Sequence, residues 1–353
     1  MEMLLKHGHK VVLLTTVERG YLHQYVETLG IITESVDIID ERGKISFYRK
    51  NFQKLRSVVK KYKINIIIAH QQVPALLAGL FVKFRKVKLV YVRHNSDEDY
   101  QHFPKKAKWL NKIVNYLTPV KVAPSSVVKN FMIFKEGVPP KQIVRVNYGY
   151  NFDQYEKPDP AEVSKIKKAY PAQLLILSIA RLVAAKRHRE MFEVVSQLKK
   201  DGIDCKLVCL GSGPMEKEIQ QLIFDMGLDK SVFLEGNRDN IFDYIEAADV
   251  FLHLSSTEAS NSAVKEAALC KKTVIVCKGV GDFEDYIQQW KNGFLVHKEN
   301  PVPEAYAILK KIYTKELDKQ EIGSQFFETV TSIFHINKIG KAYNELLLKV
   351  LSH

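Results

Sequence analysis

The 353-residue chain has no apolar run near the roughly 20 residues a helix needs to cross a bilayer. No signal peptide is read at the amino end, since Met1–Lys10 is short and carries charge within it. Cysteine is scarce, and the four present (Cys205, Cys209, Cys270, Cys277) fit no zinc spacing. Cys205 and Cys209 alternate with Leu207 on one predicted strand, so buried free thiols and a reducing cytoplasm are expected. Repeats and low-complexity tracts are missing too. What remains is a globular composition, 46% hydrophobic and 26% charged, long enough for two domains.

Acidic residues are short in one half only. Residues 1–150 hold 26 Lys and Arg against 11 Asp and Glu, an excess of 15, while the remainder carries two more acids than bases. The first half therefore carries the whole formal net charge of +13. Its expected partner is anionic: a membrane surface, a phosphate-bearing acceptor or nucleic acid.

The stretch from Asp249 to Glu266, DVFLHLSSTEASNSAVKE, organises the second half. Asp249–Leu254 reads as a strand, Ser255-Ser256-Thr257 as a polar loop, and Ser262–Cys270 as a helix capped by Asn261. Glu258 lies in the loop and Glu266 one turn into the helix. A helix N-terminus suits a phosphate, and a carboxylate one turn in suits neutral hydroxyls such as those of a ribose. Two glutamates at this spacing also occur on ordinary solvated helix faces.

Glu258, seven residues, then Glu266-Ala267 resembles the E-x7-E motif of retaining family-4 glycosyltransferases of the GT-B fold. The Thr273–Cys277 strand, Gly281 and the segment Trp290–Val296 match the same pattern. The resemblance implies an α/β protein with two Rossmann-like domains facing an interdomain cleft. It implies an acceptor-side domain over 1–155 and a nucleotide-sugar domain over 156–335, with 336–353 a helix returning to the first. Pro158 and Pro160 mark the crossing.

In the first half, Lys10–Thr16 follows Gly8-His9 as a strand, and Met1–His7 reads as the tail of a helix. The family's opening strand and glycine-rich loop are missing, and a truncated sequence is the expected cause. Strands Lys10–Thr16 and Ile64–Ala69 should then not pair, and about 30 upstream residues should restore the sheet. Lys44–Lys63 holds eight basic residues and no acidic one, with Phe47, Phe52, Leu55 and Val59 near helical spacing. Phe47, Tyr48 and Phe52 among these bases suit anionic headgroups, and a solvated basic face is the plainer alternative. His94 ends a strand where α/β sheets place ligands, and the resemblance makes it a catalytic residue facing the donor sugar. Asp97-Glu98-Asp99 is a D-x-D triplet of the kind that holds a metal in GT-A enzymes; the motifs downstream argue against that role, and no metal is assigned. Ser125-Ser126 opens a further helix.

In the second half, Arg181 and Lys186 put two cations after the strand Leu174–Ile179. They resemble the family's donor-diphosphate residues, with Arg187 where the family has glycine. Gly211 and Gly213 allow close backbone approach to the donor. By resemblance Arg238 meets the base, Asn261 and Ser262 the phosphate, Glu266 the ribose, and Glu258 the sugar. Gly281-Asp282 stands where a double glycine is usual.

The function implied is retaining, metal-independent transfer of a sugar from a nucleotide-sugar donor, with no cofactor, to a glycan or lipid-linked acceptor. Cell-surface polysaccharide synthesis follows, in the cytoplasm and peripherally on the inner membrane face. A sugar-nucleotide epimerase of the same fold and a basic nucleic-acid-binding protein are the alternatives; no nucleic acid is expected as partner, because it would leave the second half's motifs unexplained.

Overall fold

The computed structural model describes residues 1–36, 45–94 and 104–352. The chain divides into two compact units, residues 1–149 with 336–353, and residues 150–335. The acidic triplet at 97–99 lies outside the described residues.

The first unit runs α1 (Glu2–Lys6), β1 (Val12–Thr15), α2 (Tyr21–Thr28), β2 (Ile32–Ser35), α3 (Ile45–Tyr62) and β3 (Ile66–His70). It continues with α4 (Gln72–Val82), β4 (Lys88–Val92), α5 (Pro104–Leu117), β5 (Val120–Ala123), α6 (Ser126–Phe134) and β6 (Ile143–Arg145). Strands β3 to β6 form one parallel sheet in chain order. Successive side chains of β4 face opposite sides of the sheet, so Leu89–Val92, covered on both faces, are apolar throughout. Leu89 and Tyr91 pack with Ala75, Ala78 and Val114 of α4 and α5. Val90 and Val92 pack with Ile339, Leu346 and Leu347 of the C-terminal helix Ile336–Ser352.

β1 pairs with β2 in a separate parallel sheet, and among the described residues no pairing joins β1 to β3. The sequence reading missed β2, a four-residue strand with three polar members. On α3 it singled out Phe47, Phe52 and Leu55, which do pack inward, and missed Asn51 and Val58. That helix buries Phe47, Asn51 and Val58, not Val59, and Phe52 packs edge-on against Phe81 at 5.9 Å. Lys54 and Lys61 are both paired with Glu34. Phe47 is therefore core, and the aromatic share expected of this stretch in meeting headgroups falls to Tyr48.

The second unit runs α7 (Pro160–Ala169), β7 (Leu174–Ile179), α8 (His188–Lys200), β8 (Cys205–Leu210), α9 (Glu216–Asp225) and β9 (Val232–Leu234). Then come α10 (Ile241–Ala247), β10 (Val250–His253), α11 (Ser262–Leu269), β11 (Thr273–Cys277), β12 (Phe294–Val296), α12 (Val302–Tyr313) and α13 (Lys319–Phe334). Its six parallel strands stand in the order β12-β11-β10-β7-β8-β9. The order reverses between β7 and β10, the kind of switch point at which open α/β sheets place ligands. Cys205, Cys209 and Cys277 are buried free thiols in this sheet. Of the residues singled out in the sequence, Arg181 and Lys186 follow β7, and Glu258, Asn261, Ser262 and Glu266 follow β10.

Candidate functional site at the β7–β10 switch point

β7 ends at Ile179, and Ala180–Leu182 runs against the Gly211–Gly213 turn that leaves β8. The Leu182 amide donates to the Ser212 carbonyl at 3.0 Å. A Cβ on Gly211 would sit 2.1 Å from the Ala180 oxygen, and one on Gly213 would sit 2.4 Å from the Leu182 oxygen. Gly211 also has φ +127°, which only glycine adopts readily. The G-x-G signal thus lets two backbones touch beside Arg181. Arg181 is exposed; its carbonyl accepts from the Val183 amide at 2.9 Å, and its side chain makes no hydrogen bond among the described residues.

Lys186 closes the short turn Ala184–Lys186. Ser255 and Ser256 hold that turn: both hydroxyls donate to the Ala185 carbonyl at 3.2 Å, and the Ser256 amide does so at 2.8 Å. This is the work of the serine loop after β10. Arg187, next in the chain, is left-handed at φ 54° and donates to the Lys298 carbonyl. The position demands a conformation that glycine takes freely, and arginine holds it through that bond.

Glu258 is the centre of the cluster. Lys186 donates to its carboxylate, Asn261 Nδ2 does so at 3.1 Å, and His253 Nε2 lies 2.8 Å from the same oxygen. Burial alone would raise this carboxyl, but the His253 hydrogen bond and charge, with Lys186, outweigh it and hold Glu258 at about 2. Gly281, at φ 58°, lets its loop approach, since a Cβ there would stand 2.8 Å from the Glu258 Cβ. His253 was not anticipated. It ends a strand of otherwise apolar residues, and its place at a carboxyl-terminal strand end was the available signal.

Asn261 caps α11, accepting from the Val264 amide at 3.0 Å. Ser262 Oγ lies 3.2 Å from the Tyr150 hydroxyl. The half-buried Glu266 side chain makes no hydrogen bond among the described residues, and burial raises its carboxyl. Between them, Lys265 is fully buried, 2.8 Å from Asp282, with its ammonium 4.6 Å from the Phe334 ring centre. Ser260 donates to the same Asp282 at 2.6 Å, which ties the loop of Glu258 to the turn at Gly281. Asp282, standing in place of a second glycine, is therefore the counter-ion of Lys265. Arg238 is exposed and bound to Glu235 at 2.5 Å, apart from this cluster's contacts.

His94 belongs to the first unit, just past β4. Its Nε2 lies 2.8 Å from His70 Nδ1, and its Nδ1 lies 2.7 Å from the Tyr148 hydroxyl. One consistent tautomer has Tyr148 donating to Nδ1 and Nε2–H donating to His70. Loss of solvation, then the charge of His94, pushes His70 down to about 4, and loss of solvation also lowers His94. Gln71, after His70, has φ 70°, an uncommon value for a non-glycine residue and one that clusters at functional positions.

His188, at the start of α8, supplies a pH test. It is 4% exposed, and burial, then the charges of His253 and Lys186, pushes it down to about 4. It is neutral when folded, and on unfolding regains an ordinary value near 6.5. The unfolded chain therefore binds more protons below pH 6.5, and stability falls as pH drops from about 6.5 to about 4. The loss expected from His188 is roughly 3 kcal/mol, and His188→Gln should flatten it. Melting temperatures across that range check this; equal pH profiles for both proteins would contradict it.

A groove of about 950 Å³ lined by Lys157, Lys167, Glu246 and Cys270 lies at the opposite end of the sheet, where chain enters the strands. None of the candidate donor-site residues lines it.

Residues 160–322 match the family described as Glycosyl transferases group 1, and residues 1–154 match Glycosyltransferase Family 4. The N-acetyl-alpha-D-glucosaminyl L-malate synthase of Bacillus anthracis is 22% identical over 305 residues, 84% of this chain and 78% of that protein. The GPI3 subunit of phosphatidylinositol N-acetylglucosaminyltransferase from Saccharomyces cerevisiae is 22% identical over 99% of this chain and 78% of its own. Among solved structures, Anabaena HepE (Alr3699) in complex with UDP superposes with a TM-score of 0.81 at 19% identity, over 96% of this chain and 92% of that one. At that identity the likeness shows the fold, two Rossmann-like α/β units of the GT-B class.

Proposed function

Because the chain belongs to the family-4 glycosyltransferases, we propose that its second unit holds a nucleotide-sugar donor at the β7–β10 switch point and that the enzyme transfers the sugar with retention. One observation carries this reading. Arg181 follows β7, Glu258 follows β10, and Lys186 joins the two sides through its bond to Glu258. Two cations beside a carboxylate held ionised fit a sugar diphosphate, with charge at one end and hydroxyls at the other.

Arg181 and Lys186 stabilise charge growing on the diphosphate as the anomeric carbon–oxygen bond breaks. Glu258 accepts from sugar hydroxyls or balances positive charge on the ring. Glu266 accepts from the ribose hydroxyls, and Asn261 and Ser262 present the α11 amides to the phosphate. Gly211 and Gly213 open the approach beside Arg181. Arg238 would reach a base only by leaving Glu235. His94, set by Tyr148 and His70, is the first unit's catalytic residue. The new bond forms on the face the phosphate leaves, and the departing phosphate oxygen takes the acceptor proton. This route calls for no metal, cofactor or protein base.

The acceptor is a glycan or lipid-linked saccharide of cell-surface polymers, used peripherally at the cytoplasmic membrane face. The yeast relative is named for a phosphatidylinositol acceptor, and no described helix is long and apolar enough to cross a membrane. Thermal-shift panels of UDP-, GDP- and ADP-sugars test the donor. A donor at 100 times its dissociation constant should add about 2.7 kcal/mol. A panel in which no donor shifts the transition would sink the reading, and turnover of the sugar nucleotide without acceptor would point to an epimerase.

A further inference from the structure

The first unit exposes a face that its basic stretch at α3 does not explain. α4 and α5 lie side by side, since a Cβ on Gly79 would meet the Leu117 Cβ at 2.7 Å. On α5 the buried residues Asn111 and Val114 face inward, and Lys105, Lys108, Trp109, Lys112 and Tyr116 form one exposed stripe at helical spacing. At the neighbouring end of α4, Leu80, Lys83, Phe84 and Lys86 are also exposed. Phe84 is 86% exposed, Tyr116 80% and Trp109 68%. Neither residues 71–94 nor residues 104–118 contain an Asp or Glu.

Single exposed apolar residues are ordinary. Three large aromatics, two on α5 and one just past the end of α4, interleaved with lysines and with no acid among them, are a different composition. Aromatic rings with polar edges settle at the headgroup level of a bilayer, and lysines beside them meet anionic lipid. We propose that the exposed face of α4 and α5 docks the enzyme on an anionic lipid bilayer, with Trp109, Phe84 and Tyr116 entering the headgroup layer. The inference rests on the reading of a membrane-bound acceptor, and moves the contact from α3 to residues the sequence pattern did not single out.

The test uses the full chain without donor, so its failure is separate from failure of transfer. Flotation with vesicles of phosphatidylcholine, alone or mixed with phosphatidylglycerol, is run at low and high salt. Binding is expected on the mixed vesicles only and should fade as salt rises. Joint replacement of Lys105, Lys108 and Lys112 by glutamine should weaken it about a hundredfold. Trp109→Ser with Phe84→Ser should weaken it about tenfold or more, with the melting temperature kept as a check on folding. The chain has two tryptophans, so Trp290→Phe leaves Trp109 as the only indole. Its emission should move to the blue, and be quenched by brominated lipid, on mixed vesicles alone. Equal binding to neutral vesicles, no binding, or binding unchanged in these variants would overturn the proposal. So would lipid-independent self-association that the aromatic replacements abolish, which would make the face a contact between copies.

Discussion

Glu258→Gln is expected to lower kcat by about a thousandfold while leaving donor affinity within a few-fold, the scale of removing one preorganised charge from a reacting centre. The carboxylate sits among Lys186, His253 and Asn261, and is held at about 2. It stays ionised throughout any working pH, so the acid limb of the rate profile belongs to another group. Glutamine keeps the size and one acceptor oxygen and removes the charge. The diphosphate would keep Arg181, and Lys186 would be freer to join it, so the donor dissociation constant should not rise. Single-turnover rates with calorimetric donor binding separate the two effects. A kcat within a few-fold of the parent would place Glu258 away from the chemistry.

Glu136→Ala should cost the first unit about 3–5 kcal/mol. Glu136 accepts from Arg93 at 2.7 Å and 2.8 Å, from Asn111 at 3.0 Å and from Asn115 at 2.8 Å. The Arg93 side chain is wholly buried and that of Glu136 is 2% exposed. Removing one ion from such a pair leaves the cost of burying the other without the attraction that offset it. Arg93 also directly precedes His94, so the network anchors the strand end that carries the imidazole. Urea unfolding followed at Trp109, in a Trp290→Phe background, reports this unit by itself. The doubly replaced Arg93→Met, Glu136→Leu protein should recover much of the loss. An unchanged Trp109 midpoint in Glu136→Ala would contradict the account.

The strand, loop and helix from Asp249 to Glu266 were legible because local signals agree there: apolar β-branched residues, a serine loop, and a capping asparagine before an alanine-rich helix. The use of Ser255 and Ser256 to hold the turn at Ala185 was not legible, since the partner lies 70 residues away in sequence. Lys265 was equally hidden. A lysine in a helix reads as solvent-facing, and only the fold brings Asp282 and Phe334 to it. On α3, Phe47 and Phe52 have the composition of a membrane contact, yet Phe47 belongs to the core and Phe52 packs on Phe81. Periodicity shows that a helix has an inner face; which residues occupy it depends on the neighbouring helices.

The central claim is that Arg181 and Glu266 serve one bound nucleotide diphosphate sugar, the first at its phosphates and the second at its ribose. Calorimetric titration of the nucleoside diphosphate and of its nucleoside into the parent, Arg181→Ala and Glu266→Ala proteins tests it most directly. The account predicts that Glu266→Ala weakens both ligands by roughly 1–3 kcal/mol, the scale of hydrogen bonds lost from a buried polar site. Arg181→Ala should weaken the diphosphate far more than the nucleoside. Unchanged diphosphate affinity in both variants would contradict it.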